Sequence, residues 1–357
     1  MRNSIARIAL EVAATAAFAL SASAALAQTK PFEGVTLRVG TYGGAWGDAV
    51  KSNVGAKLEA MGAKVEYVIG NPAENFSKIV AARGRAVPID VMEIGPAERI
   101  AMSRNGFLEE IPAAKITNLP KLSVQIVDKT AIAHQMVENG ILIRADTFKA
   151  EGLPVPKRFE DLESPKLANR VAFPDVVNPQ HWPAVAALAS QAGGSEATPE
   201  KGFEQVLRMK PLYYYAAASE IAQKISMGDV IAAPSHAGMA VRLHNAGLQV
   251  DFIHPQIGNK KGEVEFNYLA IVKGTKNVDA AAAFINAFLD TQVQADFAKP
   301  MGVVPVNKES RALLQKDPVM SRFMLLSDAD LANAFSMDWT KVDVEKWRAT
   351  WARTVTK

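Results

Sequence analysis

The chain has 357 residues, room for about two domains of ordinary size. With 49% hydrophobic and 22% charged residues it cannot be a disordered polymer, and 23 Gly and 19 Pro without a period exclude collagen-like arrays. A net charge of +3 from scattered basic residues leaves no footprint for nucleic acid, and the absence of cysteine removes disulfides, iron–sulfur clusters, thiolate zinc sites and thiol nucleophiles.

Residues 1–27 read as a secretory signal peptide. Arg2 and Arg7 supply the positive start, an apolar run covers 12–20, and Ala25 and Ala27 provide the small residues of a cleavage site. The mature chain is expected to begin at Gln28, to be exported to the periplasm, and to carry no lipid anchor, since no Cys follows the cleavage site. A strand is expected over 35–40 and a helix over 49–61, where Val50, Val54, Leu58 and Met61 recur at helical spacing and Gly62 stops the run. Val65, Tyr67 and Ile69 alternate as in a strand, a helix surrounds Phe76 to Val80, and another strand covers 87–94. Short apolar runs over 171–173, 212–215, 230–233 and 250–253 alternate with helical patterns over 183–191, 203–209, 219–227 and 235–246. Such alternation predicts an α/β fold of parallel sheets covered by helices, and no repeat of solenoid length interrupts it.

Catalytic signatures are missing. The chain contains no Gly-x-Ser-x-Gly, Ser-x-x-Lys, P-loop or His-Glu-x-x-His motif. Among the five histidines, His236 and His244 stand eight apart on one expected helix, about 12 Å along its axis and too far to share a metal. His134 and Glu138 have ligand-like spacing but fall in strand or loop pattern. Ser235 beside His236 reads first as a helix cap, because adjacent helical residues point about 100° apart. Tyr213, Tyr214 and Tyr215 alternate across a strand and do not converge as phenolate ligands would. Neither a metal nor a cofactor is expected.

The positive signal follows the first strand. Thr41-Tyr42-Gly43-Gly44-Ala45-Trp46-Gly47-Asp48 stands at a strand's C-terminal end, where open α/β sheets bind ligands. Gly44 lets backbone approach a ligand, while Tyr42 and Trp46 offer aromatic faces. A plain turn with Trp46 capping the core fits the same residues equally well.

At this point the chain resembles the periplasmic solute-binding proteins of ATP-driven importers, in their spermidine/putrescine-binding branch. The matching segments are "TLRVGTYGGAWGDAV", "IDVMEIGPAERIAMSRNGFLEEIP", "RFEDLESPKLANRVAFPD" (Phe159 standing where Trp is usual), "SEIAQKISMGDVIAAPSHAG" and "LAIVKGTKNVDAAAAFINAFLDTQVQADFAKPMGVVPVN". The resemblance implies the two-lobed type II periplasmic-binding fold, with two crossover strands as hinge and a solute cleft between lobes. One lobe would comprise 28–133 with 268–308, and the other 134–267 with 309–357. Trp347 and Trp351, four apart, would form the apolar stripe that docks the tail.

The same resemblance places Tyr42, Gly44, Trp46 and Glu93 on the cleft side of the first lobe, and Asp175, Ser235 and His236 on that of the second. Trp182 is a weaker aromatic candidate, because Pro183 beside it also marks a helix start. As structural alternatives, Glu93 is a capping or solvated carboxylate and Asp175 a turn former. Polyamine-binding members carry a Trp and an Asp just ahead of their "L-A-I"; here Glu265 and Asn267 stand there. Asn supplies no charge, so spermidine and putrescine give way to a small organic amine or amino-acid derivative. The implied function is capture of that solute by a monomeric protein for a membrane permease and its ATPase. A ligand sensor for a chemoreceptor shares the fold and pocket, and an exported hydrolase or transferase would need a nucleophile and base that are not seen.

Overall fold

The computed structural model describes residues 30–82 and 85–355; the signal-peptide reading of 1–27 lies outside them. Strand β1 (Thr36–Thr41) buries Leu37 and Val39 and is flanked in parallel by β2 (Lys64–Ile69) and β3 (Val91–Ile94). Strands buried on both faces need helices over them, and the β1–β2 connection supplies one. It runs from Gly44–Val50 through a widened π turn, Lys51–Gly55, into Ala56–Ala60, so the expected helix starts five residues early. Gly55 is required there: a Cβ on it would fall 1.8 Å from the Tyr67 hydroxyl of β2.

After the short β4 (Ile126–Val127), the 14-residue strand β5 (Ala131–Arg144) ties two groups of elements together. Further along come β6 (Ala172–Pro174), β7 (Tyr213–Tyr215), β8 (Ala232–His236), β9 (Val250–Ile253), the β10–β11 hairpin (Gln256–Ile257, Lys260–Lys261), β12 (Glu263–Ile271) and β13 (Val304–Pro305). The first half of β5 pairs antiparallel with β4, β12 and β13; its second half pairs with β8 and β9. β12 also pairs with β3, which gives the path β13–β5–β12–β3–β1–β2. Gly140 lets β9 approach, since a Cβ there would sit 2.4 Å from the Ile253 carbonyl oxygen.

Two helices close the first group over β5. Val278–Phe288 and Thr291–Met301 put Phe284, Phe288 and Phe297 into the largest core. In the second group β6 and β7 pair in parallel, and a single parallel bridge joins Val171 to Ala232 of β8. Helices His181–Gln191, Glu200–Met209 and Ala218–Met227 begin within three residues of the expected positions.

The tail returns to a second core, where Trp347 and Trp351 pack with Phe173, Phe203 and Trp182. The expected stripe of Trp347 and Trp351 is thus a docking stripe. Trp182 corrects an expectation: it is buried in this core, its ring 5.3 Å from that of Trp347. Ser235 and His236 correct another. They end strand β8, and His236, not Ser235, occupies the cap position of helix Ala237–Asn245, with no side-chain capping bond. Among the described residues, no helix is long and apolar enough to cross a membrane.

Candidate functional site

β3 reads Val-Met-Glu-Ile with all four residues buried, so Glu93 places a carboxylate inside the fold. A buried carboxylate must be bonded, and this one is. The Thr41 hydroxyl donates to Oε1 at 2.5 Å, the Trp46 indole N–H lies 3.1 Å from Oε1 and 3.0 Å from Oε2, and His134 Nε2 stands 3.1 Å from Oε2. His134 gets there through a bulge. Asn267 faces Gln135 while Tyr268 faces Ala133, which leaves His134 as the extra residue of β5. Glu93 is therefore a strut beneath the Tyr42–Trp46 loop. Trp46 packs edge-on against Phe297 at 4.9 Å and Tyr42 at 5.6 Å, half-buried between core and loop. These contacts are those of the core-capping alternative read from the sequence.

A cavity of about 160 Å³ is bounded by Arg99, Glu263, Glu265, Tyr268, Met337 and Trp339 among others. Its floor is the start of β12, and one wall is helix Pro96–Arg104, which begins directly after β3. The remaining wall is the segment around Trp339, which lies against that helix.

The electrostatics are lopsided. Glu265 is pushed up to about 8, first by burial and then by the charge of Glu98, with the neighbouring Trp339 pulling the other way. Its Oε2 is buried without a partner. Glu263 is also raised well above its ordinary value, by burial and by Glu265, although the Asn139 amide donates to its Oε2 at 2.7 Å. Burial raises Glu98 as well, and the Tyr42 phenol is held far above its ordinary range by burial and by Glu93, Glu98 and Glu265 together. The basic group of the cavity is Arg99. It bonds Asp128 at 2.6 Å, lies 5.3 Å from the centre of the Tyr268 ring, and keeps a buried Nε without a partner. Burial thus favours the protonated form of both cavity carboxyls, which share the cavity with the Arg99 guanidinium.

The remaining expected residues lie elsewhere. Gly44 is exposed with open space around it. Asp175 accepts bonds from the Trp351 indole at 3.3 Å and from the Val177 N–H at 3.2 Å. Ser235 is buried, and beside it the Tyr215 hydroxyl donates to the Pro234 carbonyl at 2.6 Å. His236 is pushed down to about 3 by burial and by Arg242, whose guanidinium stands 3.2 Å away. Asn267 faces Gln135 across the ladder and does not line the cavity. Among the described residues, no three His, Asp or Glu side chains are grouped to hold a metal ion.

The family model of the bacterial extracellular solute-binding proteins matches residues 56–322. The chain belongs to that family. This solute-binding protein is 27% identical over 147 residues to a gamma-aminobutyric acid-binding protein of Pseudomonas aeruginosa, a stretch covering 40% of each chain. The match thus spans well under half the length of that curated relative. Its fold is that of an ABC transporter structure from Clostridium perfringens, with TM-score 0.73 and 23% identity over 89% of this chain and 99% of that one. The Atu4243 GABA receptor superposes with TM-score 0.70 and 21% identity over 89% of this chain and 95% of that one. The two-lobed α/β architecture implied by the sequence motifs is therefore the fold of this solute-binding protein.

Of the ten site residues expected from the sequence, Glu265 lines the cavity, Tyr42 lies within electrostatic reach of Glu98 and Glu265, and Trp46 bonds Glu93 while its ring packs against Tyr42. Glu98, Arg99, Tyr268 and Trp339 escaped notice. The first two follow Pro96 in "GPAERI", in the first turn of a helix leaving a strand end, where a ligand-facing position could have been suspected.

Proposed function

We propose that this protein captures a small solute bearing an ammonium group, with an amino acid whose charges are separated along the chain, as in gamma-aminobutyric acid, as the best fit. The observation that carries this reading is the unpartnered Glu265 carboxyl in an acidic cavity. An ammonium placed there supplies the missing donors and favours the ionised carboxylate. Tyr268 and Trp339 border the same space with aromatic faces that attract cations, contributing about 0.5–2 kcal/mol each. Arg99, lining the same cavity with an unpartnered Nε, suits a carboxylate. The gamma-aminobutyric acid-binding relatives support the same class.

In this reading residues 28–133 with 268–308 form one lobe and 134–267 with 309–357 the other, closing over the cavity. The protein works as a periplasmic monomer, freed of residues 1–27, and hands its solute to a membrane permease driven by an ATPase. Calorimetric titration of the mature chain with gamma-aminobutyric acid, putrescine and succinate tests the solute class. Binding of an ammonium compound, no binding of succinate, and a loss of about 10- to 100-fold in Glu265→Gln are expected, from the strength of hydrogen bonds to charged groups. Unchanged affinity in Glu265→Gln would remove the reading.

A further inference from the structure

The Arg99 side chain lines the cavity under two restraints. Its Nη1 donates to Asp128 Oδ2 at 2.6 Å, and the guanidinium carbon lies 5.3 Å from the centre of the Tyr268 ring, which borders the same space. Its Nε is buried and has no partner. A guanidinium carries its donors in one rigid plane, so fixing one end fixes where the others point.

The group that fixes it sits in a strained turn. Asp128 and Lys129 follow β4 and lead into β5, and both are left-handed, with φ of 52° and 58°. Asp tolerates that conformation better than most side chains; Lys does not. The turn is nonetheless held: the Thr130 N–H donates to the Val127 carbonyl at 3.1 Å, and the Ile111 N–H to the Lys129 carbonyl at 2.8 Å. Strain secured in this way gathers at positions that serve a site. Stability does not explain the pair, because the Asp128 side chain is 57% exposed and ion pairs in water contribute little.

We propose that Asp128 is a positioning residue for solute binding: it takes Nη1 of Arg99 and leaves the buried Nε to bond the solute's carboxylate. This rests on the reading of the solute as an amino acid whose carboxylate meets Arg99. Asp128 acts on such a solute in two ways of opposite sign. Its charge repels a carboxylate, so on Coulomb's law alone its removal tightens binding. Its hydrogen bond keeps the guanidinium in place, so on positioning alone its removal weakens binding, by about two- to tenfold for one long side chain that must be ordered again. Positioning wins, because a charge this exposed is screened by water and salt.

Asp128→Gly removes the carboxylate and accepts the left-handed φ without strain, so the turn survives. Calorimetric titration of the mature protein with gamma-aminobutyric acid is expected to show that loss. Asp128→Asn, whose side-chain oxygen still accepts from Nη1, is expected to recover most of it. In an Arg99→Lys background, which lacks the planar fork, Asp128→Gly is expected to add no loss. In the wild type, which needs no variant to fold, the Arg99 Nε–H resonance should shift when gamma-aminobutyric acid is added. Unchanged or tighter binding in Asp128→Gly, an Asn variant as weak as the Gly one, or the same loss in the Arg99→Lys background would overturn the role of Asp128. A wild type that binds propylamine, the same amine without its carboxylate, as tightly as gamma-aminobutyric acid, or an Nε–H signal indifferent to the latter, would overturn the carboxylate contact of Arg99 itself, a result distinct from these.

Discussion

Replacing Trp46 separates a strut from a ligand platform. The indole N–H reaches both oxygens of a Glu93 carboxyl that is only 3% exposed, so Trp46→Phe leaves that carboxylate with Thr41 and His134 alone. A lost hydrogen bond to a charged group costs about 1.5–3 kcal/mol. At about 2 °C per kcal/mol for a chain of this size, the ligand-free protein should melt about 3–6 °C lower. Trp46→Ala also forfeits the edge contacts with Phe297 and Tyr42, and its cost rises towards about 3–5 kcal/mol. The sequence alone suggests that truncating Trp46 weakens binding at least tenfold and leaves melting nearly unchanged. The structure revises the second half of that expectation. Scanning calorimetry of wild type, Trp46→Phe and Trp46→Ala without solute is the assay. A Phe variant melting within about 1 °C of wild type would refute the strut, since that is less than the smallest shift a lost charged hydrogen bond predicts.

Three further outcomes follow from the same physics. His181 is fully buried, its Nδ1–H donating to the Pro174 carbonyl at 3.0 Å, and burial pushes its titration from 6.5 down to about 4. The unfolded chain therefore takes up a proton first, so stability present above pH 6.5 drains away towards pH 4, by about 3 kcal/mol at one proton and 1.36 kcal/mol per pH unit; urea melts at pH 7 and pH 5 should show the decline, and a flat profile would deny it. Glu265 works in the opposite direction: its folded value of about 8 exceeds the ordinary 4.5, so its contribution is complete below pH 4.5 and is lost as the pH rises through 8. Glu265→Gln should flatten that decline in solute-free melts between pH 6 and 8, and an unaltered slope would count against it. Gly238→Ala should destabilise by about 1–3 kcal/mol, because its Cβ would meet the Met301 carbonyl oxygen at 2.5 Å and that of Gly302 at 2.7 Å, both backbone atoms; a wild-type melting curve would show that these chains can part.

The alternating core was legible because strands such as β9 and helices such as Ala218–Met227 carry their periodicity within one short window. β5 was not, since His134, Gln135, Glu138 and Asn139 sit in its middle and leave the pattern undecided between strand and loop. Their burial depends on partners far along the chain: Glu93 for His134, His254 for Glu138 at 2.6 Å, and Glu263 for Asn139. The site shows the same limit. Glu265 could be found because it occupies a motif position beside "L-A-I", whereas Trp339 meets it only after the chain has travelled more than seventy residues and wrapped back. Trp182, a weaker candidate in the sequence, ends in the second core for the mirror reason, since an aromatic before a Pro says nothing about which side of the helix the tail will later cover.

The two long antiparallel strands also limit how the molecule can flex. Around Val137 and Glu138, β5 has β12 as its ladder partner and neither β13 nor β8 reaches it. Sliding such a ribbon by one residue would turn every side chain to the opposite face, exposing Glu138 and uncoupling Asn139 from Glu263. Twisting it costs far less, because strands are twisted already. Relative movement of the parts on either side should therefore be a swing about the ribbon, with displacement growing in proportion to distance from it. Residues near β12, such as Glu265, then travel least, while the outer ends of the cavity walls sweep the widest arc.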